Sequence, residues 1–444
     1  MKKKILIITP FFAPETHAAV FRTHKLAKYL NRENWEVHVL TVDTNYVYNE
    51  DENLLKELEG VTIHRSKYIE PTLRGLRMWL TGKDRTFKTL KKKGFYADNS
   101  AAPNDVAKEK PSPNWKLRVY TYILERYSKN PDRYWTWKKG AIKTTEKLIK
   151  EHQIDLIYTT CLPFTTNSIG IALRKKCNVK WVADFRDPIT YGKRMYSSNQ
   201  KIFAKQKRIQ DLTFKWADHV TVLSSAYELI FHDQYEGVYN NKITFIPTGL
   251  DDDYLPNGNS EEDSDLVFVG EYLKEYEDHF LKLLSKVLLN QKGANSFKVK
   301  IIGNSNINRG NLIPLLKNHQ LEDYFEFIDH MPQIKLYEII KSAKFTVLLA
   351  GENTLWWTNF AKLVDYIALN KQVIAMVPNI SEARSELTKA GLGIFVKDDD
   401  ASVSLLQSIL MERVENVLDC NIEYCKKYLA SSQTKSFIKV FESL

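Results

Sequence analysis

The chain has 444 residues, of which 43% are hydrophobic and 27% are charged. This length can bury more than one core, so we expect two domains. The composition is that of an ordinary globular protein and excludes a disordered or fibrous chain. No apolar run approaches the roughly 18 residues needed to cross a bilayer, so we expect no membrane-spanning helix.

The cysteines indicate the redox compartment. The chain contains Cys161, Cys177, Cys420 and Cys425. They are sparse and their spacing matches no metal-ligand set, which favours a reducing cytoplasm. The apolar stretch after Lys4 resembles a signal peptide, but it meets Pro10 early and lacks a small-residue cleavage site. We therefore expect it to be the first strand of the fold.

The positive charge is concentrated in one segment. Residues 61–150 hold 22 Lys and Arg against 8 Asp and Glu, a net charge of +14. The whole chain carries +10, so all other residues together sum to −4. The basic character therefore belongs to this segment and not to the chain as a whole.

In the first part of the chain, short apolar runs typical of strands alternate with stretches whose apolar residues recur at the spacing of a helix. Ile5–Ile8 is a continuous apolar run typical of a buried strand. The pattern then predicts a helix from about Ala18 to Asn31 and a strand over Trp35–Thr41. Strand, helix and strand within about 40 residues form a βαβ unit, which predicts a parallel sheet.

Residues 66–135 interrupt this alternation. They mix cations such as Lys91, Lys92 and Lys93 with many aromatic residues, Trp79 and Trp115 among them. Such a mixture suits an anionic bilayer surface, where each basic residue contributes about 1 kcal/mol. An ordinary basic exterior and an acidic polymer or partner are the alternatives. No recognised nucleic-acid module is present.

The alternation resumes after Pro131, with a basic amphipathic helix over Thr136–Glu151. The strand that begins at Trp181 runs into a charged turn containing Asp184, Arg186 and Asp187. Ligands of α/β sheets gather beyond the carboxyl ends of the strands, so these three side chains are well placed for a site.

A second α/β set follows an acidic linker at residues 251–265. Its most informative stretch is Phe360–Ala375, a short helix, a turn and a buried strand. Lys362 near the helix start can meet a phosphate, and Asp365 one turn later can accept from two ribose hydroxyls. Alternatively, both charges belong to the solvated face of an amphipathic helix. Asn370 suits the left-handed position that closes such a helix.

This stretch resembles the donor-site helix of family 4 glycosyltransferases, where Lys-Leu/Phe-x-Glu-Tyr-x-Ala-x-Gly-Lys-Pro-Val is usual. Here Asp365 stands in place of glutamate, Asn370 in place of glycine and Gln372 in place of proline. Other family motifs occur in the family's order. They are a strand and Pro-rich loop before Arg22, Asp-Phe-Arg-Asp-Pro at 184–188, Ile-Pro-Thr-Gly at 246–249, and strand–glycine turns at Gly270 and Gly303.

The resemblance implies an α/β GT-B fold, in which two Rossmann-like parallel-sheet domains face each other across a cleft. We expect an acceptor-side domain at 1–250, with the basic aromatic insert at about 66–135. A nucleotide-sugar domain should span 266–420. The final segment, 421–444, should form a helix that packs back on the N-terminal domain.

The resemblance also implies a set of donor-binding residues. Lys362, helped by Lys274, would neutralise the diphosphate, and Asp365 would hold the ribose. Gly270 and Gly303 would form the turns that face the donor.

Two donor positions depart from the family pattern. The family often has Arg or Lys directly after the first turn glycine, where this chain has Glu271. Family members also pair two glutamates eight residues apart. Asp365 stands at the second of these positions, and Trp357 occupies the first. Glu352 could replace the missing glutamate if the loop is longer. Trp356 or Trp357 either stacks on a base or sugar or packs in the core.

On the acceptor side, the resemblance points to the loop residues His17 and Ala18, to Arg22, and to Arg186 and Asp187. The family loop usually holds two glycines. His17 either contacts substrate or is a solvated loop histidine. Asp187 either contacts the acceptor hydroxyl or takes its proton, or it forms a structural pair with the neighbouring arginine.

The resemblance predicts a retaining hexosyltransferase that uses a nucleotide-sugar, with a UDP-sugar favoured, and needs no metal or other cofactor. The acceptor would be a lipid-linked or membrane-proximal glycan in polysaccharide or lipopolysaccharide biosynthesis. We expect a cytoplasmic protein, peripheral on the inner face of the cell membrane, that binds no nucleic acid. The alternatives are a catalytically weak GT-B glycan-binding or partner subunit and a sugar-nucleotide epimerase.

Overall fold

The computed structural model describes residues 2–16, 18–43, 50–71, 130–188, 191, 199–256, 263–288, 297–351, 354–411 and 418–444. It divides the chain into two compact units. The first contains Met1–Ile246 and Thr434–Leu444, and the second contains Pro247–Gln433. Within the described ranges, none of the helices has the length and apolar character needed to cross a membrane.

A parallel sheet of seven strands forms the centre of the first unit, in the order β3-β2-β1-β4-β5-β6-β7. The strands are β1 (Lys4–Ile8), β2 (Glu36–Val42), β3 (Thr62–Ser66), β4 (Leu156–Cys161), β5 (Lys180–Phe185), β6 (His219–Val222) and β7 (Ile243–Phe245). Ile5–Ile8 is completely buried, as expected for a strand covered on both faces. The strand order reverses between β1 and β4, and ligands of such sheets bind beyond the carboxyl ends at this point.

Helices of the first unit connect these strands. They are α1 (Ala18–Arg32), α2 (Asn53–Lys56), α3 (Lys138–His152), α4 (Phe164–Cys177), α5 (Gln200–Trp216) and α6 (Ser225–Gln234). Helix α1 begins at the predicted residue and extends one residue further. Helix α3 begins two residues later than predicted, and Thr136 before it donates a hydrogen bond from Oγ1 to the Ile69 carbonyl (2.6 Å).

Most of the basic aromatic insert, residues 72–129, lies outside the described residues, and with it Lys91, Lys92 and Lys93. The two flanks of this segment are bonded to each other. Trp137 donates from Nε1 to Ser66 Oγ (2.6 Å), and Tyr68 donates to the Arg133 carbonyl (3.0 Å). The two described ends of the insert are therefore held next to each other.

The second unit has a parallel sheet of six strands in the order β10-β9-β8-β11-β12-β13. The strands are β8 (Ser264–Val269), β9 (Val299–Ile302), β10 (Phe325–Ile328), β11 (Ala343–Leu349), β12 (Val373–Met376) and β13 (Gly393–Phe395). The helices before Gln433 are α7 (His279–Leu288), α8 (Ser305–His319), α9 (Gln333–Ser342), α10 (Ala361–Ala368), α11 (Glu382–Ala390), α12 (Asp400–Met411) and α13 (Ile422–Lys426). Here the strand order reverses between β8 and β11.

The second unit extends beyond residue 420, where the sequence placed its end. Glu386, which is 1% exposed, accepts hydrogen bonds from the hydroxyls of Tyr424 and Tyr428 (both 2.5 Å). These bonds tie residues 421–433 to α11. The unit begins at Pro247 because the Leu250 backbone pairs with Tyr428, whose carbonyl accepts from the Leu250 N–H (2.7 Å).

The last helix, α14 (Ala430–Glu442), carries the chain into its final residues. From Thr434 onward these belong to the first unit. Phe437 is completely buried there and meets Tyr158 edge to face at 5.6 Å, and Phe441 meets Trp35 at 5.7 Å. Aromatic pairs of this geometry stabilise a core beyond their buried area.

Candidate donor and acceptor sites

Two strand–glycine turns lie side by side where β8 and β9 end. Gly270 has a φ of +108°, which a glycine adopts without strain. Its N–H donates to the Ile302 carbonyl (2.7 Å), and the Gly303 N–H donates to the Ile328 carbonyl (3.0 Å). A Cβ on Gly303 would lie 2.6 Å from the Gly270 oxygen. Both positions therefore require glycine, and the two turns form one surface at the strand switch point.

Asn308, which the sequence did not single out, holds these turns in place. It is completely buried in α8, donates from Nδ2 to the Gly270 carbonyl (3.1 Å) and accepts on Oδ1 from the Tyr272 N–H (2.8 Å). Asn304 caps the same helix by accepting from the Ile307 N–H (3.2 Å). An Asn four residues after a helix cap is the only sequence signal for this role.

Lys362 reaches these turns from the first turn of α10. Its Nζ lies 3.9 Å from the centroid of the Phe268 ring and 3.9 Å from the position that a Cβ on Gly270 would take. Burial lowers the pKa of this lysine to about 7. No carboxylate of the described residues lies within ion-pair distance of Nζ. An anion placed against Gly270 would supply the missing opposite charge.

Asp365 follows one helical turn later and is partly buried. Tyr337 of α9 donates its hydroxyl to Oδ1 of Asp365 (3.2 Å). Burial, and next the charge of Asp365, raise the pKa of Tyr337 well above its usual range, so this hydroxyl remains a donor. The carboxylate is thus oriented by a tyrosine that the sequence analysis missed.

The remaining predicted donor residues differ in how far they are exposed to solvent. Lys274 is exposed in a single 3₁₀ turn, Lys274–Tyr276, and Glu271 is exposed just after Gly270. Trp357 is only 5% exposed, which supports its packing alternative. Glu352 lies outside the described residues.

In the first unit, Arg22 and Asp184 form a buried ion pair. Nε and Nη2 of Arg22 donate to the two carboxylate oxygens of Asp184 at 3.0 and 2.8 Å. The hydroxyls of Thr160 and Thr221 donate to the same carboxylate at 3.3 and 2.7 Å. Arg22 is 2% exposed and also donates to the Ile246 carbonyl (3.0 Å). The structure thus places Arg22 in the core, and the acceptor contact predicted for it would require it to leave Asp184.

Arg186 and Asp187 lie beyond the carboxyl end of β5. The Arg186 guanidinium donates to the Leu162 carbonyl and lies 5.9 Å from the Phe11 ring centroid. Burial raises the pKa of Asp187 to about 6, and the charge of Arg186 partly opposes this. No ion pair within 4.0 Å joins these two neighbours among the described residues. Asp187 is thus a partly buried carboxylate that titrates close to neutral pH, as a general base does.

A second cation lies near Phe11 that sequence reasoning missed. The Arg133 guanidinium lies 5.9 Å from the Phe11 ring centroid and 2.7 Å from the Tyr134 hydroxyl. Arg133 and Arg186 are 53 positions apart in the sequence, so no local pattern relates them. Ala18 is exposed at the start of α1, and His17 lies outside the described residues.

Residues 100–254 match the family model described as Glycosyltransferase Family 4. This range contains Asp184, Arg186 and Asp187. The chain carries a family 4 glycosyltransferase domain. No curated protein sequence matches the chain at a significant level.

Solved structures agree on the fold of the whole chain, which is GT-B. HepE from Anabaena, in complex with UDP and glucose, is 12% identical, with full coverage of both chains and a TM-score of 0.56. The lipopolysaccharide outer core galactosyltransferase WaaB is 12% identical, with 99% of this chain and 100% of that chain covered and a TM-score of 0.55. A putative UDP-N-acetylglucosamine 2-epimerase from Listeria monocytogenes is 10% identical, with 100% and 96% covered and a TM-score of 0.53.

Proposed function

We propose that this glycosyltransferase moves a hexose-type sugar, with retention of anomeric configuration, from a nucleotide-diphosphate sugar to a lipid-linked or membrane-proximal glycan in polysaccharide or lipopolysaccharide biosynthesis. The observation that carries the proposal is the Lys362 ammonium, largely buried beside the Gly270 turn and without a carboxylate partner among the residues that the structure describes. The similarity of the fold to HepE, whose structure holds UDP, supports a nucleotide donor.

On the donor, Lys362 neutralises the diphosphate as it becomes the leaving group. A fixed cation is most effective where negative charge develops in the transition state and water is scarce. Asp365, oriented by Tyr337, accepts from the ribose hydroxyls. Lys274 and Glu352 complete the donor set, and UDP is the favoured nucleotide. No metal ion is needed, because Lys362 and Lys274 supply the positive charge that neutralises the diphosphate.

On the acceptor, Asp187 contacts the attacking hydroxyl or takes its proton. A carboxylate with a pKa of about 6 is ionised at neutral pH and can still hold a proton during transfer. Arg186, fixed by the Leu162 carbonyl, positions this turn. The loop residues His17 and Ala18 contribute to the acceptor side. The anomeric configuration is retained because the acceptor attacks the sugar on the face from which the diphosphate leaves, without an enzyme nucleophile.

A panel of UDP-, GDP-, ADP- and CMP-sugars tests the donor assignment. We expect one nucleotide class to raise the thermal midpoint of the wild-type protein, because a ligand at about 100 times its Kd stabilises by about 2.7 kcal/mol. The Lys362→Ala/Asp365→Ala variant should lose this shift. Asp187→Asn should keep the shift and lose transfer. A panel that shifts neither protein would contradict the donor site.

Turnover of the same nucleotide-sugars, with and without an acceptor, separates the two alternative functions. An epimerase would convert the nucleotide-sugar without any acceptor, and the fold alone also occurs in a putative epimerase. A binding subunit would show neither donor turnover nor transfer. The exposed Glu271, at a position where the family often has a cation, is the observation that favours this second candidate.

The membrane-proximal acceptor rests on the charge of residues 61–150. We expect the protein to bind vesicles that contain anionic lipid and to bind neutral vesicles weakly, because each basic residue near an anionic surface contributes about 1 kcal/mol. Replacing Lys91, Lys92 and Lys93 by glutamine should lower binding at least about tenfold. A matched triple replacement at the exposed Lys317, Lys335 and Lys427 should have little effect. Undiminished vesicle binding by the first variant would remove this patch from the proposal.

A further inference from the structure

Three histidines of the first unit converge on one point. His38 lies on β2, His64 on the neighbouring strand β3, and His152 is the last residue of α3. One ring nitrogen of each lies within 4.8 Å of the corresponding atoms of the other two. His38 is 2% exposed, and the other two are partly buried. Imidazole nitrogens in such an arrangement are the ligands that Zn²⁺ takes in open, three-histidine sites.

The distances between the rings are close to those of a coordination sphere. His38 Nδ1 lies 3.0 Å from His64 Nε2. Two ligands of a tetrahedral zinc ion lie about 3.4 Å apart, given bonds of about 2.0–2.1 Å. The His152 ring centroid is 4.4 Å from that of His38 and 5.7 Å from that of His64. Small side-chain rotations therefore bring the three nitrogens around one ion.

Glu36 fixes the protonation of the central histidine. Its Oε1 lies 3.0 Å from His38 Nε2. An ionised carboxylate only accepts, so Nε2 carries the proton and Nδ1 presents its lone pair toward His64. A carboxylate behind a histidine in this way is the usual outer partner of a zinc ligand. The Glu36 carboxylate is the feature that distinguishes this cluster from three histidines in chance contact.

The charges around the cluster suit a cation. Burial lowers the pKa values of His38 and His64, and the neutral imidazole is the form that binds a metal ion. Glu36 and Glu151 bring two carboxylates to the surroundings. Lys4 is the opposing charge, but its ammonium already donates to the His152 carbonyl (2.9 Å) and pairs with Glu36 (3.5 Å).

We propose that His38, His64 and His152 bind one Zn²⁺ ion, with water in the fourth position and Glu36 as the outer partner. The ion replaces the hydrogen bond between His38 and His64, whose proton moves to the other nitrogen of His64.

The position of the site separates the ion from the residues proposed for sugar transfer. His152 ends α3 four residues before β4 begins, at the amino edge of the sheet, whereas Asp187 and Arg186 follow a carboxyl end. Strand β3 precedes the basic aromatic insert, the segment at about 66–135, and α3 follows it. Zinc would therefore clamp together the two elements between which that segment is inserted, and it would take no part in sugar transfer.

Titration calorimetry of the untagged full-length protein, freed of metal by a chelator, tests the proposal with Zn²⁺ as the probe. We expect one equivalent to bind. His64→Gln and His152→Gln should each weaken binding at least about 100-fold, and Glu36→Gln about 10- to 100-fold. The exposed His330→Gln is the matched control and should bind as the wild type does.

A spectroscopic measurement guards against variants that merely misfold. Co²⁺ added to the wild-type protein should give the intense visible absorption of a tetrahedral nitrogen site, and Zn²⁺ should displace it. The His64→Gln and His152→Gln variants should lack this absorption while keeping the wild-type circular dichroism spectrum. Failure of the wild type to bind Zn²⁺, or affinity unchanged in both histidine variants, would overturn the proposal.

Discussion

Replacing Lys362 by methionine should lower sugar transfer at least about tenfold and at the same time raise the thermal midpoint of the free protein. The rate falls because one good charge contact to the leaving diphosphate is lost, and a factor of ten corresponds to 1.36 kcal/mol of activation free energy. Stability rises because methionine keeps the contact with Phe268 and removes an ammonium that burial disfavours.

The pH dependence gives this prediction a second readout. The pKa of Lys362 is about 7 in the folded protein and about 10.4 in an unfolded chain. Between these values the unfolded state binds more protons, so the free energy of unfolding rises with pH across this window. Below about pH 7 the folded protein bears the full cost of the buried charge. The methionine variant should lose this dependence.

Donor binding should depend on pH in the opposite direction. The diphosphate binds to the protonated lysine, so donor affinity in the wild type should fall as pH rises above about 7. Transfer rates and nucleotide affinity between pH 6 and 9 measure both effects. Lys335→Met, at an exposed position of α9, is the control and should change neither. Unchanged transfer in Lys362→Met would remove the phosphate assignment.

Arg22→Met should destabilise the first unit by about 3–5 kcal/mol, the usual loss when one partner of a buried ion pair is removed. The Asp184 carboxylate would remain fully buried, keeping the hydroxyls of Thr160 and Thr221 as donors but losing the cation bonded to it. Denaturant unfolding and the thermal midpoint measure this loss. A shift of about 10 °C is expected for a unit of this size.

Two further variants test whether the ion pair is the cause. Arg22→Met combined with Asp184→Leu should recover part of the loss, because no uncompensated charge then remains. Lys176→Met breaks the exposed pair with Glu146 (2.8 Å) and should have little effect on stability, because solvent screens such a pair. If Arg22→Met costs no more than this surface control, then Arg22 is not a structural cation, and its predicted acceptor contact regains support.

Local sequence patterns predicted the elements that bear the candidate donor groups. The apolar period of Phe360–Ala375 predicted a helix and a buried strand, which are α10 and β12. Asn370 has the left-handed φ of 54° that was expected at the end of this helix. The alternation of strands and helices likewise predicted two parallel sheets, and the motif order predicted the GT-B fold.

The same patterns could not predict how side chains from distant positions meet. The family resemblance put Arg22 on the acceptor side, and no local pattern showed that its guanidinium would be bonded to Asp184, 162 positions later. The end of the second unit was placed at residue 420, because the hydrogen bonds from Tyr424 and Tyr428 to Glu386 have no local signal.

The sequence by itself determined what depends on neighbouring residues: the strands, the helices, the turn glycines and the lysine–aspartate spacing of α10. These follow from backbone geometry and the period of apolar residues, which act over a few positions. Only the tertiary structure decided which charges are paired and which remain available. Strand order brings His38 and His64 together, α3 adds His152, and β5 buries Asp184 against Arg22. Burial then sets the pKa values of Lys362 and Asp187, because the cost of desolvating a charge depends on everything packed around it.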